Sequence, residues 1–306
     1  MVFGILEILL GGLAALMIPL MIVGQVTAAR VTQDPLSLRQ IIPGAVFYGT
    51  VATVLIWLGI GSCKTRRWAW SLSLIVAWSW LAVGVLSTAA MAFFLPSILN
   101  ASQPRGQGLP ESARLVVMIV SILFMGFFLV AVPGVLVLFY RSRHVRATCE
   151  SSDPSPCWTD ACPLPVLGLS LWLGFGAVTM LTLPLSTHGV LPVFGRLLSG
   201  VVGSLCCVGL AALWGYSAWA VYRLRAVGWW IVLTSLCVMA ASTWVTFTQI
   251  DLLEMYRVMG YPERQIEMMK QFTFIQGHGM AYSSVAGAIP MLGFLLFVRR
   301  YFRAPG

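Results

Sequence analysis

The chain has 306 residues, of which 59% are hydrophobic and only 9% charged; soluble domains carry about 25% charged residues, so a soluble globular fold is excluded. The formal net charge is +9, but the basic residues sit in short connections between apolar runs, not on one helix or tail, which argues against nucleic acid as a partner. Seven Cys is an odd number, and Cys63, Cys206, Cys207 and Cys237 lie in or beside apolar runs, so no disulfide framework is implied.

Eight apolar runs are long enough to cross the hydrocarbon core, a task for roughly 20 helical residues. They are Phe3 to Ala28, Gly44 to Ser62, Trp68 to Leu95, Arg114 to Tyr140, Pro163 to Ser186, Leu197 to Tyr222, Val227 to Ile250 and His278 to Val298. Each must be a helix, because lipid leaves an open strand edge unsatisfied and no alternating pattern suggests a barrel. The first run starts at once, lacks a basic n-region and exceeds a usual signal h-region, so it reads as a retained span. Glu7, in that run, is the only acid within a predicted span. It reads either as an interfacial carboxylate at a helix amino end or as the partner of a basic turn such as Arg66 or Arg225.

The second and third runs flank Lys64-Thr65-Arg66-Arg67-Trp68-Ala69-Trp70, and the sixth and seventh flank Arg223-Leu224-Arg225-Ala226-Val227-Gly228-Trp229. The offset is constant: 225 − 66 = 159 and 229 − 70 = 159. It recurs where Gly134 to Arg141 answers Gly293 to Arg300, since 293 − 134 = 159. Pro19 in the first run and Pro184 in the fifth are 165 apart, as are Gly24 and Gly189; the six extra residues fall in the polar stretch from Arg30 to Pro43. The expected fold is an all-α membrane protein of eight transmembrane helices, arranged as two tandem four-helix units in a parallel, same-orientation repeat. The units are expected over residues 1–146 and 163–306, joined by a polar linker at 147–162.

Placing the termini and the even-numbered connections on one side gives that side eleven Lys and Arg against eight on the other. Both termini are therefore expected to be cytoplasmic, in the plasma (inner) membrane. On the outer side, Tyr261-Pro262-Glu263-Arg264 reads as a helix start, with an amphipathic segment near 262–276 lying on the headgroup surface or capping the bundle.

Few residues suggest chemistry. Asp251, Glu254 and His278, with Gln249 and Gln276, gather at the outer ends of the last two runs and form either a polar ligand site or a solvated helix end. His144, Cys149, Cys157 and Cys162 share the connection from Arg141 to Pro163, with four, seven and four intervening residues; zinc sites use one His with three Cys, but the paired two-residue spacing is missing and reduced thiols are the preferred reading. No phosphate loop, nucleophile elbow or metalloprotease pair occurs, and no cofactor or metal is expected. The functional expectation is a scaffold, accessory or lipid-binding membrane subunit, whose partners are membrane lipids and either another membrane protein or a second copy. The alternative is a small-solute carrier or channel between the repeats, for which Ser204, Ser217, Thr234, Ser242, Thr246 and Gln249 supply the candidate polar line. An enzyme acting on lipid would need Asp251, Glu254 and His278 to converge.

Overall fold

The computed structural model describes residues 2–32, 38–101, 110–187, 189–261, 263–270 and 279–302. Among them, eight helices are long and apolar enough to cross a bilayer, so the protein is a polytopic, helical integral membrane protein. The first spans are α1 (Val2–Thr32), α2 (Leu38–Cys63) and α3 (Arg67–Ala101). The fourth consists of α4 (Glu111–Gly126), a π-helical turn (Phe127–Ala131) and α5 (Val132–Tyr140). After it come α6 (Arg143–Ser152), a 3-10 turn (Trp158–Asp160) and the fifth span, α7 (Leu164–Thr187). A hairpin of β1 (Leu191–Val193) and β2 (Arg196–Leu198) leads to α8 (Gly200–Tyr222) and α9 (Ala226–Gln249). Two short helices, α10 (Leu252–Val258) and α11 (Glu263–Lys270), precede the last span, α12 (Gly279–Val298).

Packing divides the chain into two compact units, Met1–Leu81 with Val132–Leu164, and Ala82–Ala131 with Pro165–Gly306. The stretch 147–162, expected as a linker, lies inside the first unit and holds the end of α6 and the 3-10 turn. Within that unit α1 and α2 pack closely through small residues: a Cβ on Gly4 would lie 2.8 Å from the Gly59 carbonyl, and one on Gly11 3.1 Å from the Ala52 carbonyl. Small residues at a spacing of seven let membrane helices approach backbone to backbone.

The two basic turns have the same backbone. After α2, Thr65 N–H donates to Ser62 O (3.1 Å) and Arg66 N–H to Gly61 O (3.0 Å); after α8, Leu224 N–H donates to Val221 O and Arg225 N–H to Ala220 O, both at 2.9 Å. This is the Schellman closure, which needs a left-handed residue at its corner. Thr65 (φ 49°) and Leu224 (φ 55°) occupy it without being glycine. The hairpin of helices is tight: a Cβ on Gly61 would lie 2.6 Å from Ala69 Cβ, and one on Gly228 2.9 Å from Ala220 Cβ. Each crossing thus has one Gly and one Ala, on opposite helices in the two turns. A side chain in the left-handed region costs about 1–2 kcal/mol, so Thr65→Gly and Leu224→Gly are each expected to stabilise the protein by about 1 kcal/mol, read as a higher thermal midpoint in detergent.

The π-helical turn has a local cause. Pro133 has no N–H, and its ring would strike the carbonyl of Leu129 four residues back; widening the helix by one residue avoids the clash. The displaced Leu129 carbonyl is received by α3, where a Cβ on Gly84 would stand only 1.8 Å from it.

The hairpin departs from expectation, since Leu197 and Leu198, read as the start of the sixth span, are strand residues. Leu191 pairs with Leu198 and Val193 with Arg196. Phe194 (φ 45°) and Gly195 (φ 75°) form the two-residue turn, with both central residues left-handed as type I′ demands. After α10, α11 matches part of the amphipathic segment expected at 262–276: Ile266 is buried while Glu263, Glu267 and Lys270 are exposed. Residues 271–278 lie outside the described residues.

Candidate functional site

Glu7 stands in the second turn of α1 and is only 4% exposed. Ser62, in the last turn of α2, donates its hydroxyl to Glu7 Oε2 at 3.1 Å. The Tyr140 hydroxyl, at the end of α5, donates to Ser62 Oγ at 3.1 Å, and Ser73 Oγ of α3 lies 3.4 Å from Ser62 Oγ. The hydroxyls of Ser73 and Tyr140 are also within hydrogen-bonding reach of the carboxyl. One carboxyl therefore ties together four spans at the end of the first unit that carries the amino terminus. Among the described residues no Lys or Arg pairs with Glu7. Arg66 pairs with Asp153 (3.6 Å), and Arg225 lies 4.5 Å over the Trp219 ring. Sequence reasoning named Glu7 but missed its hydroxyl partners, because Ser and Tyr near span ends are common and carry no charge signal.

Beside this cluster, the Trp70 indole donates to the Tyr140 carbonyl at 2.8 Å, satisfying one of the carbonyls that a helix end leaves open. Trp70, Leu74, Leu136, Val137 and Tyr140 form a buried core with Cys149 of α6. The cap from α6 to Asp160 is then pinned by charge: Arg67 contacts Asp160 at 3.0 Å and Glu150 at 4.0 Å, and Arg146 contacts Glu150 at 2.8 Å. Cys157 N–H donates to Asp160 Oδ2 at 3.0 Å, half of a capping box closed by the Cys157 sulfur. His144, Cys149, Cys157 and Cys162 do not converge: among the described residues no group of three or more His, Cys, Asp or Glu is placed to hold a metal. Burial pushes the Cys149 thiol up and the Cys162 thiol up to about 11. Thiolate is the reacting form, so alkylation of Cys162 at pH 8 is expected to run about 100-fold slower than for an ordinary thiol, measured by peptide mass spectrometry after timed iodoacetamide treatment.

In the second unit the residues expected to form a polar site have local duties. Asp251 caps α10, accepting from Leu253 N–H at 3.1 Å, and Glu254 is exposed in the first turn. Arg257 pairs with Glu263 (3.3 Å), linking α10 to α11. Gln276 and His278 lie outside the described residues. Along α9, Ser242 Oγ accepts from Phe194 N–H (3.0 Å) and Thr246 Oγ1 from Gly195 N–H (3.1 Å). The Gln249 side chain crosses the same turn, its Oε1 only 2.0 Å from where a Gly195 Cβ would stand. The polar line at 242, 246 and 249 is thus the seat of the hairpin. Ser204 and Ser217 bond to carbonyls of their own helix at 2.8 and 2.7 Å, as does Thr234 to Trp230. The Trp229 indole, 3% exposed, donates to the Leu295 carbonyl of α12 at 2.9 Å. No protein-family model, curated protein or solved structure matches the chain.

Proposed function

We propose that the protein is a non-catalytic membrane scaffold or accessory subunit, built from an ancestral four-helix unit copied head to tail with its orientation kept. One observation carries the functional reading: the acid inside the spans and the candidate polar line of α8 and α9 are spent on the chain's own elements. Glu7 engages hydroxyls from neighbouring spans, Ser242 and Thr246 hold the hairpin, and both indoles close helix carbonyls. A conducting path needs polar groups left free to meet solute or water. The repeat is supported by the matching Schellman turns, the exchanged Gly–Ala pairs and the two indole donors. In the second unit the acceptor falls one helical turn earlier, since Leu295 answers Leu136 and not Tyr140. Gly24 and Gly189 do not match in conformation, as Gly24 is inside α1 while Gly189 is left-handed (φ 68°). Both termini belong on the cytoplasmic side by the distribution of Lys and Arg.

Proteoliposomes test the functional reading. With protein reconstituted at several copies per vesicle, permeability to protons, sodium and small neutral solutes is expected to equal that of protein-free vesicles. Thr246→Val is expected to lower the thermal midpoint, because it strands the Gly195 N–H, a loss of about 1–3 kcal/mol. A flux that wild type supports and Thr246→Val abolishes would replace the scaffold with a carrier.

A further inference from the structure

The two basic turns share one backbone but differ in what meets their charge. In the first unit the cap supplies carboxylates: Asp153 to Arg66, and Asp160 with Glu150 to Arg67. In the second unit Arg223, Arg225, Arg299 and Arg300 are exposed, and none pairs with an acid among the described residues. Residues 301–306 add Arg303 and no acid.

Arg225 and Arg299 lay their guanidinium groups on aromatic rings. Arg225 lies 4.5 Å over Trp219, and Arg299 lies 5.2 Å over Trp229 and 5.9 Å over Trp230. Trp229 and Trp230 are in the first turns of α9, where Arg225 is the N-cap, so Arg225 and Arg299 are brought to one end of the second unit. The Trp229 bond to Leu295 fixes α12 against α9 there. Tryptophan at span ends marks the headgroup level, and a guanidinium stacked on a ring keeps its planar fork free for a phosphate.

We infer that this end of the second unit is a binding site for the phosphate of an anionic phospholipid, with Arg225 and Arg299 as its principal ligands and Arg223 and Arg300 at its rim. Charge complementarity and depth both select this occupant, since basic residues between span ends attract anionic lipid and the first unit answers the same charge with its own cap. The site requires only the packing of α8, α9 and α12 and is independent of the scaffold reading.

Native mass spectrometry of the full chain in detergent, titrated with phosphatidylglycerol or phosphatidylcholine of the same acyl chains, tests it. One or two phosphatidylglycerol molecules are expected to remain bound, with phosphatidylcholine at least tenfold weaker. R225Q/R299Q is expected to lose at least tenfold in phosphatidylglycerol affinity, while R225K/R299K, which keeps the charge, recovers part of it and guards against a folding defect. R141Q/R143Q, which removes two exposed basic residues of the first unit, is expected to bind as wild type. Equal binding of the two lipids, or equal losses in R225Q/R299Q and R141Q/R143Q, would overturn the proposal. So would displacement of the lipid by equimolar inorganic phosphate or by an acidic peptide, because the site would then belong to a soluble anion or a protein.

Discussion

Gly84→Ala is expected to destabilise the protein by about 3 kcal/mol, at the upper end of overpacking costs, and to reduce the yield of monodisperse protein in detergent. The added methyl carbon would stand 1.8 Å from the Leu129 carbonyl oxygen, and a backbone carbonyl cannot rotate away as a flexible side chain can. Relief has to come from separating α3 from the fourth span or from rebuilding the π-helical turn. The cause of that turn suggests a rescue. In Pro133→Ala the helix regains an N–H and loses the ring, so the Leu129 carbonyl can return to a regular ladder. The double variant is therefore expected to be more stable than Gly84→Ala alone, with a coupling of at least about 1 kcal/mol. Thermal unfolding of the four proteins in one detergent measures this. A Gly84→Ala protein that melts with wild type would mean that the carbonyl does not approach α3.

Removing the Glu7 carboxyl is expected to have a comparable effect. Glu7→Ala should cost about 3 kcal/mol, combining a cavity with a Ser62 hydroxyl that loses its acceptor and Ser73 and Tyr140 hydroxyls that lose a carboxyl within reach. Glu7→Gln keeps the shape but brings an amide N–H₂ among groups that already donate, so a smaller loss of about 1–2 kcal/mol is expected. Ser62→Ala should fall between wild type and Glu7→Ala, because Ser73 and Tyr140 can still turn toward the carboxyl. The order of the three midpoints is the measurement. If Glu7→Ala equals wild type, the carboxyl does not join the spans.

The basic turns show how far local sequence reaches. Their equivalence was legible from a constant offset of 159, because a tight helix–helix turn needs its small and aromatic residues at fixed positions. The reason for Trp70 and Trp229 was not legible, since each indole meets a carbonyl at least 66 residues away. Glu7 stood out because acids are rare in spans, whereas Ser62, Ser73 and Tyr140 carry no such signal until packing brings them together. The polar line on α9 was visible, but its reading as a solute path failed to anticipate that a β-hairpin lies on it. Phe194-Gly195 between two short apolar runs was the available signal, masked by a hydropathy that also suits the start of a span.

Hydropathy and run length were enough to decide that this chain lives in a bilayer, with eight spanning helices among the described residues, because without water each segment must satisfy its own backbone, and helix is then the available solution. Which hydroxyls surround Glu7, why α3 carries a glycine at residue 84, and which arginines have no acid partner among the described residues were decided only by the packing. These depend on which helices become neighbours, a choice made by contacts between residues far apart in sequence, about which local periodicity carries no information.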